Sequence, residues 1–248
     1  MSGNLVTQDM LKDLNYDKSK ISTQIEKNEL TDKVTTVMVV FEHSDINAAV
    51  YHLSKSIEKP QSFECGAIAT VLVEECIKDS FTKKLQMILK CHHMPDNNDN
   101  NFKKSIEILK RLNANTINFN NNNGRPIAIV VNGFSHEHLG GNYVNGIITL
   151  HAFRTSKECA ALIKKESLEF ACATIWHENH SYAYELIGAA KCKLFYVNCF
   201  CVNLMPLKSK LSTSESYVTM DERYHYETFP CDGVQKSVIF PIGSIFAN

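Results

Sequence analysis

The sequence predicts an α/β protein with a parallel-rich sheet and helices on both of its faces. Short β-branched runs such as TTVMVVF (35–41) are typical of buried strands. Most of these runs are followed by a segment with apolar residues at helical spacing, and such alternation favours parallel strands joined by crossover helices. With 248 residues, 44% of them hydrophobic and 21% charged, the chain is long enough to bury the core of such a fold.

Each further element follows from its own residues. The segment SDINAAVYHLSKSIE (44–58) predicts a helix, because a Ser-Asp pair that can cap it precedes apolar residues at helical spacing. Thr155 predicts the cap of a second helix at 155–167. The other predicted strands are 66–75, 127–131, 146–153, 169–177, 193–202 and 236–242, and the other predicted helices are 76–91, 102–114 and 181–192.

The chain divides into three predicted parts. Residues 1–32 form a polar arm with a loose apolar stripe, and residues 33–205 hold the alternating strands and helices. Residues 206–248 form a tail whose late run KSVIFPI (236–242) predicts an edge strand, free to pair across a subunit boundary. The Asn-rich stretches at 97–101 and 118–123 predict inserted surface loops.

Composition and charge exclude several classes of function. A formal net charge of −1 provides no electrostatic basis for binding nucleic acid or an anionic membrane. The longest apolar runs, VMVVF and IAIVV, are far too short to span a bilayer. Nine cysteines at irregular spacing, in a sequence that opens without the apolar core of a signal peptide, predict reduced thiols and a cytoplasmic protein.

Cys65 lies between a polar loop and an apolar strand, in PQSFECGAIATVLVEE (60–75). Two interpretations are open, a catalytic thiol at the mouth of the sheet or an inert thiol that packs into the core. Its neighbour Glu64 favours the second interpretation, because an adjacent carboxylate raises the pKa of a thiol.

Three other groups contain residues that can ligate metals. They are Cys91-His92-His93, the pair Cys199 and Cys201, and His136 with His138 on either side of Glu137. None is followed by a second pair at zinc-finger spacing, so we predict no metal site. We interpret Glu137 and the two histidines beside it as part of a solvated loop. Tyr182, Tyr184, Phe195 and Tyr196 lie at helix and strand spacing, which favours core or subunit contact over a substrate pocket.

Four co-linear segments within residues 34–205 carry a family resemblance. They are VVFEHSDINAAV, VLVEECIKDSFTKKL, GIITLHAFRTSKE and FACATIWHENHSYAYELIGAAKCKLFYVNCF. Together they resemble the catalytic domain of the NAD(P)-dependent aldehyde dehydrogenases, nearest the 10-formyltetrahydrofolate dehydrogenase branch. The third segment resembles the strand and helix that follow the family's Glu-Phe-Gly-Pro segment. The fourth resembles the family's aromatic-Val-Asn strand end, here Phe195 to Asn198.

The resemblance implies a thiol-dependent oxidation of aldehydes. It places Cys65 at the family's nucleophile, which attacks the aldehyde before hydride passes to NAD(P) and an activated water hydrolyses the thioester. The family's general-base glutamate has no match, because Thr31 stands at its position with Glu29 and Asp32 nearby. Asn142 replaces the glutamate that holds the cofactor ribose.

The resemblance also implies what this sequence lacks. The family's dinucleotide-binding domain would precede residue 31, and no Gly-rich phosphate loop occurs elsewhere. We therefore expect no cofactor in this chain alone, NAD(P) being implied only by the family. Two functions remain open: an aldehyde oxidoreductase completed by a related aldehyde dehydrogenase subunit, or a non-catalytic relative acting as a binding or oligomerisation module. We expect the chain either to form a homo-oligomer or to associate with a related aldehyde dehydrogenase subunit.

Overall fold

The computed structural model describes residues 35–58, 66–89, 100–120, 126–139, 146–211, 213 and 215–243. The predicted polar arm, residues 1–32, lies outside this part of the chain. None of the described helices is long and apolar enough to cross a membrane.

Strands and helices alternate through most of the chain, as the sequence predicts. The strands are β1 (Thr35–Val40), β2 (Ala67–Glu74), β3 (Thr116–Asn120), β4 (Pro126–Asn132), β5 (Ile147–Phe153), β6 (Phe170–Trp176), β7 (Leu194–Val197), β8 (Tyr217–Met220), β9 (Tyr224–Cys231) and β10 (Val234–Pro241). The helices are α1 (Ile46–Glu58), α2 (Lys78–Leu89), α3 (Asn100–Arg111), α4 (Ser156–Lys165) and α5 (His180–Ala189).

Within the described residues the strands form one sheet, in the order β3-β4-β5-β2-β1-β6-β7-β10-β9-β8. Neighbouring strands from β4 to β10 run parallel. Only the outer pairs, β3 with β4, β9 with β10 and β8 with β9, are antiparallel. The predicted α/β class with a parallel-rich sheet is therefore confirmed.

Helices cover both faces of the sheet, so the central strands are buried on both sides. Every residue of β1 is buried, and alternate residues such as Met38 and Val39 belong to opposite cores. Helices α1 and α2 pack on one face, while α4 and α5 pack on the other. Helix α3 buries Phe102 against β4 near one end of the sheet. The Thr155 cap is confirmed, because its hydroxyl accepts a hydrogen bond from the Glu158 N–H.

The late strand is not at an edge of the sheet, and that prediction is wrong. Strand β10 lies between β7 and β9. Asp232 and Gly233, at φ 50° and 75°, form a tight turn that folds β9 back onto β10, with Cys231 opposite Val234. An Asp-Gly pair between two runs of strand-forming residues is a hairpin signal, so the sequence did contain this information.

Two other differences concern the ends of elements. The Asn-rich stretch predicted as a loop at 118–123 begins inside β3, because Phe119 is buried in the core and orders the strand around it. Strand β7 ends at Val197 rather than continuing to 202, because Asn198 adopts a left-handed backbone with φ 53°.

Candidate functional site

The residues that the sequence proposes for catalysis, Cys65 and Asn142, lie outside the described residues, as do Glu29, Thr31 and Asp32. In the sequence, β2 follows Cys65 and β5 follows Asn142. These strands are parallel neighbours in the sheet, with Thr70 opposite Thr149, so both begin at its amino edge. Each proposed position therefore precedes one of two adjacent strands.

At the carboxyl edge of the sheet, the described loops after β1 and β6 meet at the point where the order of the strands reverses. From β1 the chain passes through α1 to β2 on one side, whereas β6 passes through α5 to β7 on the other. The order reverses between β1 and β6, which are parallel neighbours. In open α/β sheets this point is where ligands commonly bind, beyond the carboxyl ends of the strands.

Backbone hydrogen bonds hold together the two loops at this point. The Phe41 N–H donates to the carbonyl of Trp176 (3.0 Å), and the Glu178 N–H donates to the carbonyl of His43 (2.6 Å). The loop after β1 is also tied to β2, because the Glu42 N–H donates to Oε2 of Glu74 (2.7 Å). These bonds fix the side chains of both loops relative to the sheet.

A histidine–aromatic cluster fills the space between the two loops. The ring of His177 stacks on Tyr182, with centroids 4.3 Å apart and planes 12° apart. Phe41 lies edge-on to His177 at 5.0 Å, and the ring of His43 is 6.3 Å away. Asn179 donates its N–H to Nδ1 of His177 (2.7 Å), so the ring proton lies on Nε2. Burial lowers the pKa of His177, which is therefore neutral at pH 7.

Asn198 orients His177 from the next strand. Its Oδ1 accepts from the His177 N–H (2.9 Å), and its Nδ2 donates to the His177 carbonyl (2.8 Å). Because asparagine tolerates the left-handed backbone at this strand end, one residue supplies both the turn and the two bonds. These contacts make Asn198 a structural residue of the strand end.

An acidic group borders the cluster. Ligand atoms of Glu42, Glu74 and Cys76 lie within 4.8 Å of one another. Desolvation, followed by the charges of Glu74 and Glu42, raises the pKa of the Cys76 thiol, so the sulfur stays protonated at neutral pH. We assign neither a nucleophile nor a metal to this exposed group.

The other candidate groups do not converge on a site in the described part of the chain. Cys91-His92-His93 lies outside it. Cys199 is buried, donates its thiol to the Ile239 carbonyl (3.5 Å) and has its pKa raised by burial. His136 is buried as well, so the prediction of a solvated loop is wrong for this residue. Its Nε2 donates to the carbonyl of Ala69 (2.9 Å), a residue that the shifted register of β2 leaves without a partner on β1.

The predicted aromatic set divides between core and surface. Phe195 and Tyr196 are buried in the core as predicted. Tyr184 is half-buried and donates to the carboxylate of Glu227, while Tyr182 is exposed beside His177. The His177 cluster was not identified from sequence, although polar and aromatic residues directly after β1 and β6 were a signal for it.

A family model described as protein of unknown function (DUF1487) matches residues 32–246, which is most of the sequence. The chain belongs to this family. No curated protein matches the DUF1487 chain in sequence.

Solved structures of aldehyde dehydrogenases share the fold of this DUF1487 protein. One is an NAD-dependent benzaldehyde dehydrogenase from Corynebacterium glutamicum, with TM-score 0.58, 16% identity, and coverage of 70% of this chain and 41% of that one. Another is the aldehyde dehydrogenase KauB from Pseudomonas aeruginosa, with TM-score 0.56, 17% identity, and coverage of 69% and 39%. A third is an NADP-dependent glyceraldehyde-3-phosphate dehydrogenase from Bacillus halodurans, with TM-score 0.56, 11% identity, and coverage of 70% of this chain and 40% of that one.

At these identities the likeness concerns the fold. The DUF1487 chain spans about 40% of the length of the dehydrogenases it matches, from 39% to 41% in these three structures. The fold expected from the aldehyde dehydrogenase resemblance is therefore confirmed for this part of those proteins.

Replacing Asn198 with alanine should lower the free energy of unfolding of the DUF1487 protein by about 2–3 kcal/mol, because both bonds to His177 are lost and alanine disfavours a positive φ. Asn198→Gly relieves only the backbone cost, so it should be about 1 kcal/mol less destabilising than Asn198→Ala. Urea denaturation monitored by fluorescence measures both values. Equal losses in the two variants would contradict the role of the backbone conformation.

Proposed function

We propose that this DUF1487 protein is aldehyde dehydrogenase-like, that its Cys65 thiol captures aldehydes covalently, and that the chain alone neither binds NAD(P) nor oxidises the captured aldehyde. The observation that supports the proposal is the fold shared with dehydrogenases of aldehydes, together with a cysteine two residues before β2. The finer relation to the 10-formyltetrahydrofolate dehydrogenase branch stays a prediction.

The proposed chemistry is the addition of a thiol to a carbonyl. The sulfur of Cys65 forms a bond to the aldehyde carbon, the carbonyl π electrons move to oxygen, and that oxygen takes up the proton lost by the thiol. The product is a hemithioacetal, which is reversible and involves no net oxidation. The thiolate is the form that attacks, so we expect capture to become faster as the pH rises towards about 9.

The two turns at the change in strand order do not fit a dinucleotide. Phosphates bind where a Gly-rich turn leads from a strand into a helix N-terminus. The described turns from β1 to α1 and from β6 to α5 contain no glycine, and they carry Glu42, Asp45 and Glu178. These carboxylates would repel a pyrophosphate. Asn142 in place of the ribose-binding glutamate supports the same conclusion.

Alkylation of individual cysteines tests the capture of aldehydes. The full chain is treated with iodoacetamide, with and without benzaldehyde, and alkylation is followed by peptide mass spectrometry. We expect saturable protection of Cys65 by benzaldehyde and no protection of Cys76, an exposed thiol that serves as the internal control. Cys65→Ser should abolish the protected signal without changing alkylation at Cys76. Absence of protection at any aldehyde concentration would contradict the proposal.

Thermal shift and absorbance measurements test the cofactor. A ligand at 100 times its dissociation constant stabilises a protein by about 2.7 kcal/mol, which would raise the Tm by several degrees. We expect no shift with NAD or NADP, and no NADH formation when benzaldehyde is added. A saturable shift would show that the chain binds the cofactor and would contradict this half of the proposal.

The second candidate function is a non-catalytic binding or oligomerisation module. Glu64 and Asn142 favour it. A carboxylate beside a thiol disfavours the reactive thiolate, and Asn142 stands where the family has the glutamate that holds the cofactor ribose. A Cys65 that iodoacetamide alkylates equally fast with and without aldehyde would identify this alternative.

A further inference from the structure

Three carboxylates at the carboxyl edge of the sheet have no basic partner among the described residues. Glu42 follows β1, Glu74 ends β2 and Glu178 follows β6. None of them forms an ion pair with a lysine or arginine of that part of the chain, and Arg154, directly after β5, pairs with Glu75 instead (2.6 Å). One carboxylate oxygen of Glu42 lies within 4.8 Å of one of Glu74, so their negative charges repel each other. A bound cation would relieve this repulsion.

An aromatic ring that can receive a cation lies at the same edge. Tyr182 is 45% exposed, although one face of its ring is stacked on His177 with centroids 4.3 Å apart. Phe41 contacts the ring of Tyr182 at a tilt, with centroids 5.9 Å apart. These two contacts fix the ring, so its exposed side is pre-positioned for a cation–π interaction.

A buried hydrogen-bond donor lies against the same group. His177 is 5% exposed, and its proton lies on Nε2, because Nδ1 accepts from the Asn179 N–H (2.7 Å). This Nε2–H has no acceptor among the described residues. Burial, followed by the charge of His43, lowers the pKa of His177. The charges of Glu74 and Glu178 act in the opposite direction, so both carboxylates lie near the ring. A buried donor without an acceptor is costly, which favours a ligand that carries an oxygen atom as well as a positive charge.

We propose that this edge binds the side chain of an arginine that belongs to a partner protein. The planar guanidinium stacks on the exposed side of Tyr182 and donates hydrogen bonds to the carboxylates of Glu42 and Glu178. A backbone carbonyl of the partner, next to that arginine, accepts the hydrogen bond of His177 Nε2. Neither Cys65 nor aldehyde binding takes part in this interaction, so either function can fail without affecting the other.

Arginine suits this edge better than a compact ammonium ion does. Its flat guanidinium matches both a ring face and the two oxygens of a carboxylate. The edge already contains one such pair, because Arg154 donates from Nε to Oε2 of Glu75 (2.6 Å) and from Nη2 to Oε1 (3.0 Å).

The exposure of the site favours an arginine carried by a larger partner over a free small molecule. Glu42, Glu178 and Tyr182 are all exposed. Pockets for free small molecules bury about 70–90% of the ligand surface, which these residues do not provide. A side chain of a partner protein needs no such enclosure, because the rest of the partner covers it.

Calorimetric titration of the full chain with the peptide acetyl-Gly-Arg-Gly-amide tests the proposal. We expect a dissociation constant near about 1 mM, because one side chain and one carbonyl supply the affinity. The same peptide with citrulline in place of arginine has nearly the same shape without the charge, and it should bind at least about tenfold more weakly. Free L-arginine should also bind more weakly than the peptide, because its own carboxylate is repelled by the glutamates. Tighter binding of free L-arginine would overturn the assignment to a partner protein.

Matched variants locate the binding. Glu42→Gln and Glu178→Gln should each weaken the arginine peptide about fivefold, as expected for an exposed ion pair. Tyr182→Leu should weaken it by a similar factor of about five, whereas Tyr182→Phe keeps the ring and should bind like the wild type. If Tyr182→Leu does not fold, the two glutamine variants carry the test. Glu169→Gln is the control, because it removes an exposed carboxylate just before β6, at the opposite edge of the sheet, and should leave the affinity unchanged.

Three results would overturn the proposal. They are no heat of binding with the arginine peptide up to about 10 mM, equal binding of the citrulline peptide, and a loss of affinity in Glu169→Gln as large as that in Glu178→Gln.

Discussion

Replacing Lys236 with methionine should lower the free energy of unfolding by about 3 kcal/mol. Lys236 is buried, 2% exposed, on β10. Its ammonium donates hydrogen bonds to three carbonyls at the C-terminal end of α5, those of Ile187, Gly188 (3.3 Å) and Ala190 (3.1 Å). These are carbonyls that the helix itself leaves without partners, and they form the negative end of its dipole. Methionine would fill the volume but leave the carbonyls buried and unpaired.

Urea denaturation measures this loss, and the Tm should fall by about 6–12 °C for a domain of this size. Lys191→Met is the matched control, because Lys191 is exposed near the same helix end and should change stability by less than about 0.5 kcal/mol. Lys236→Arg keeps the charge but carries a planar donor group, so its loss should be intermediate. A Lys236→Met variant as stable as the Lys191→Met variant would contradict the role assigned to this lysine.

Lowering the pH from 7 to 5 should destabilise the protein progressively. Burial is the main cause that lowers the pKa of five histidines, which the folded state therefore keeps neutral below their ordinary value of 6.5. They are His52, His136, His151, His177 and His180. In the unfolded chain these groups take up protons from about pH 6.5 downward. The stabilisation is thus complete above pH 6.5 and is lost as the pH falls towards the lowered values.

Each such histidine adds up to about 1.4 kcal/mol per pH unit to the slope of stability between pH 6.5 and 5. His136→Gln should reduce this slope, because His136 is buried and bonds to the Ala69 carbonyl. His138→Gln, at an exposed position on the same turn, is the matched control substitution. If the His136 variant does not fold, His52→Gln provides the same test. Stability that is constant from pH 7 to 5 in the wild-type chain would contradict the prediction.

Local sequence determined the elements whose signals lie within a few residues. The run TTVMVV forms a strand because β-branched residues favour an extended backbone. Thr155 begins α4 because its hydroxyl accepts an N–H three residues later. The Asp232-Gly233 turn was just as local, although the sequence interpretation missed the hairpin. These features need no information from elsewhere in the chain.

The candidate site was predictable only in part. The aldehyde dehydrogenase resemblance implied Cys65, which precedes β2 in the sequence and lies outside the described residues. The described cluster of His177, Tyr182 and Phe41 lies at the carboxyl edge of the sheet. The polar and aromatic residues after β1 and β6 could be read from the sequence. They meet because β1 and β6 pair in parallel, although more than 100 residues of chain separate the two strands.

Tertiary structure decided every feature whose partners are distant in sequence. Position 236 carries a lysine in a strand run, which predicts an exposed edge, yet it is buried because three carbonyls 46 to 49 residues earlier accept its hydrogen bonds. His136 is buried for the same reason, since the carbonyl of Ala69, 67 residues away, accepts a hydrogen bond from its ring. Sequence by itself determined which segments become strands and helices, because propensity and periodicity are local. The order of the parallel strands depended on which strands pair and which helices pack on them across the fold.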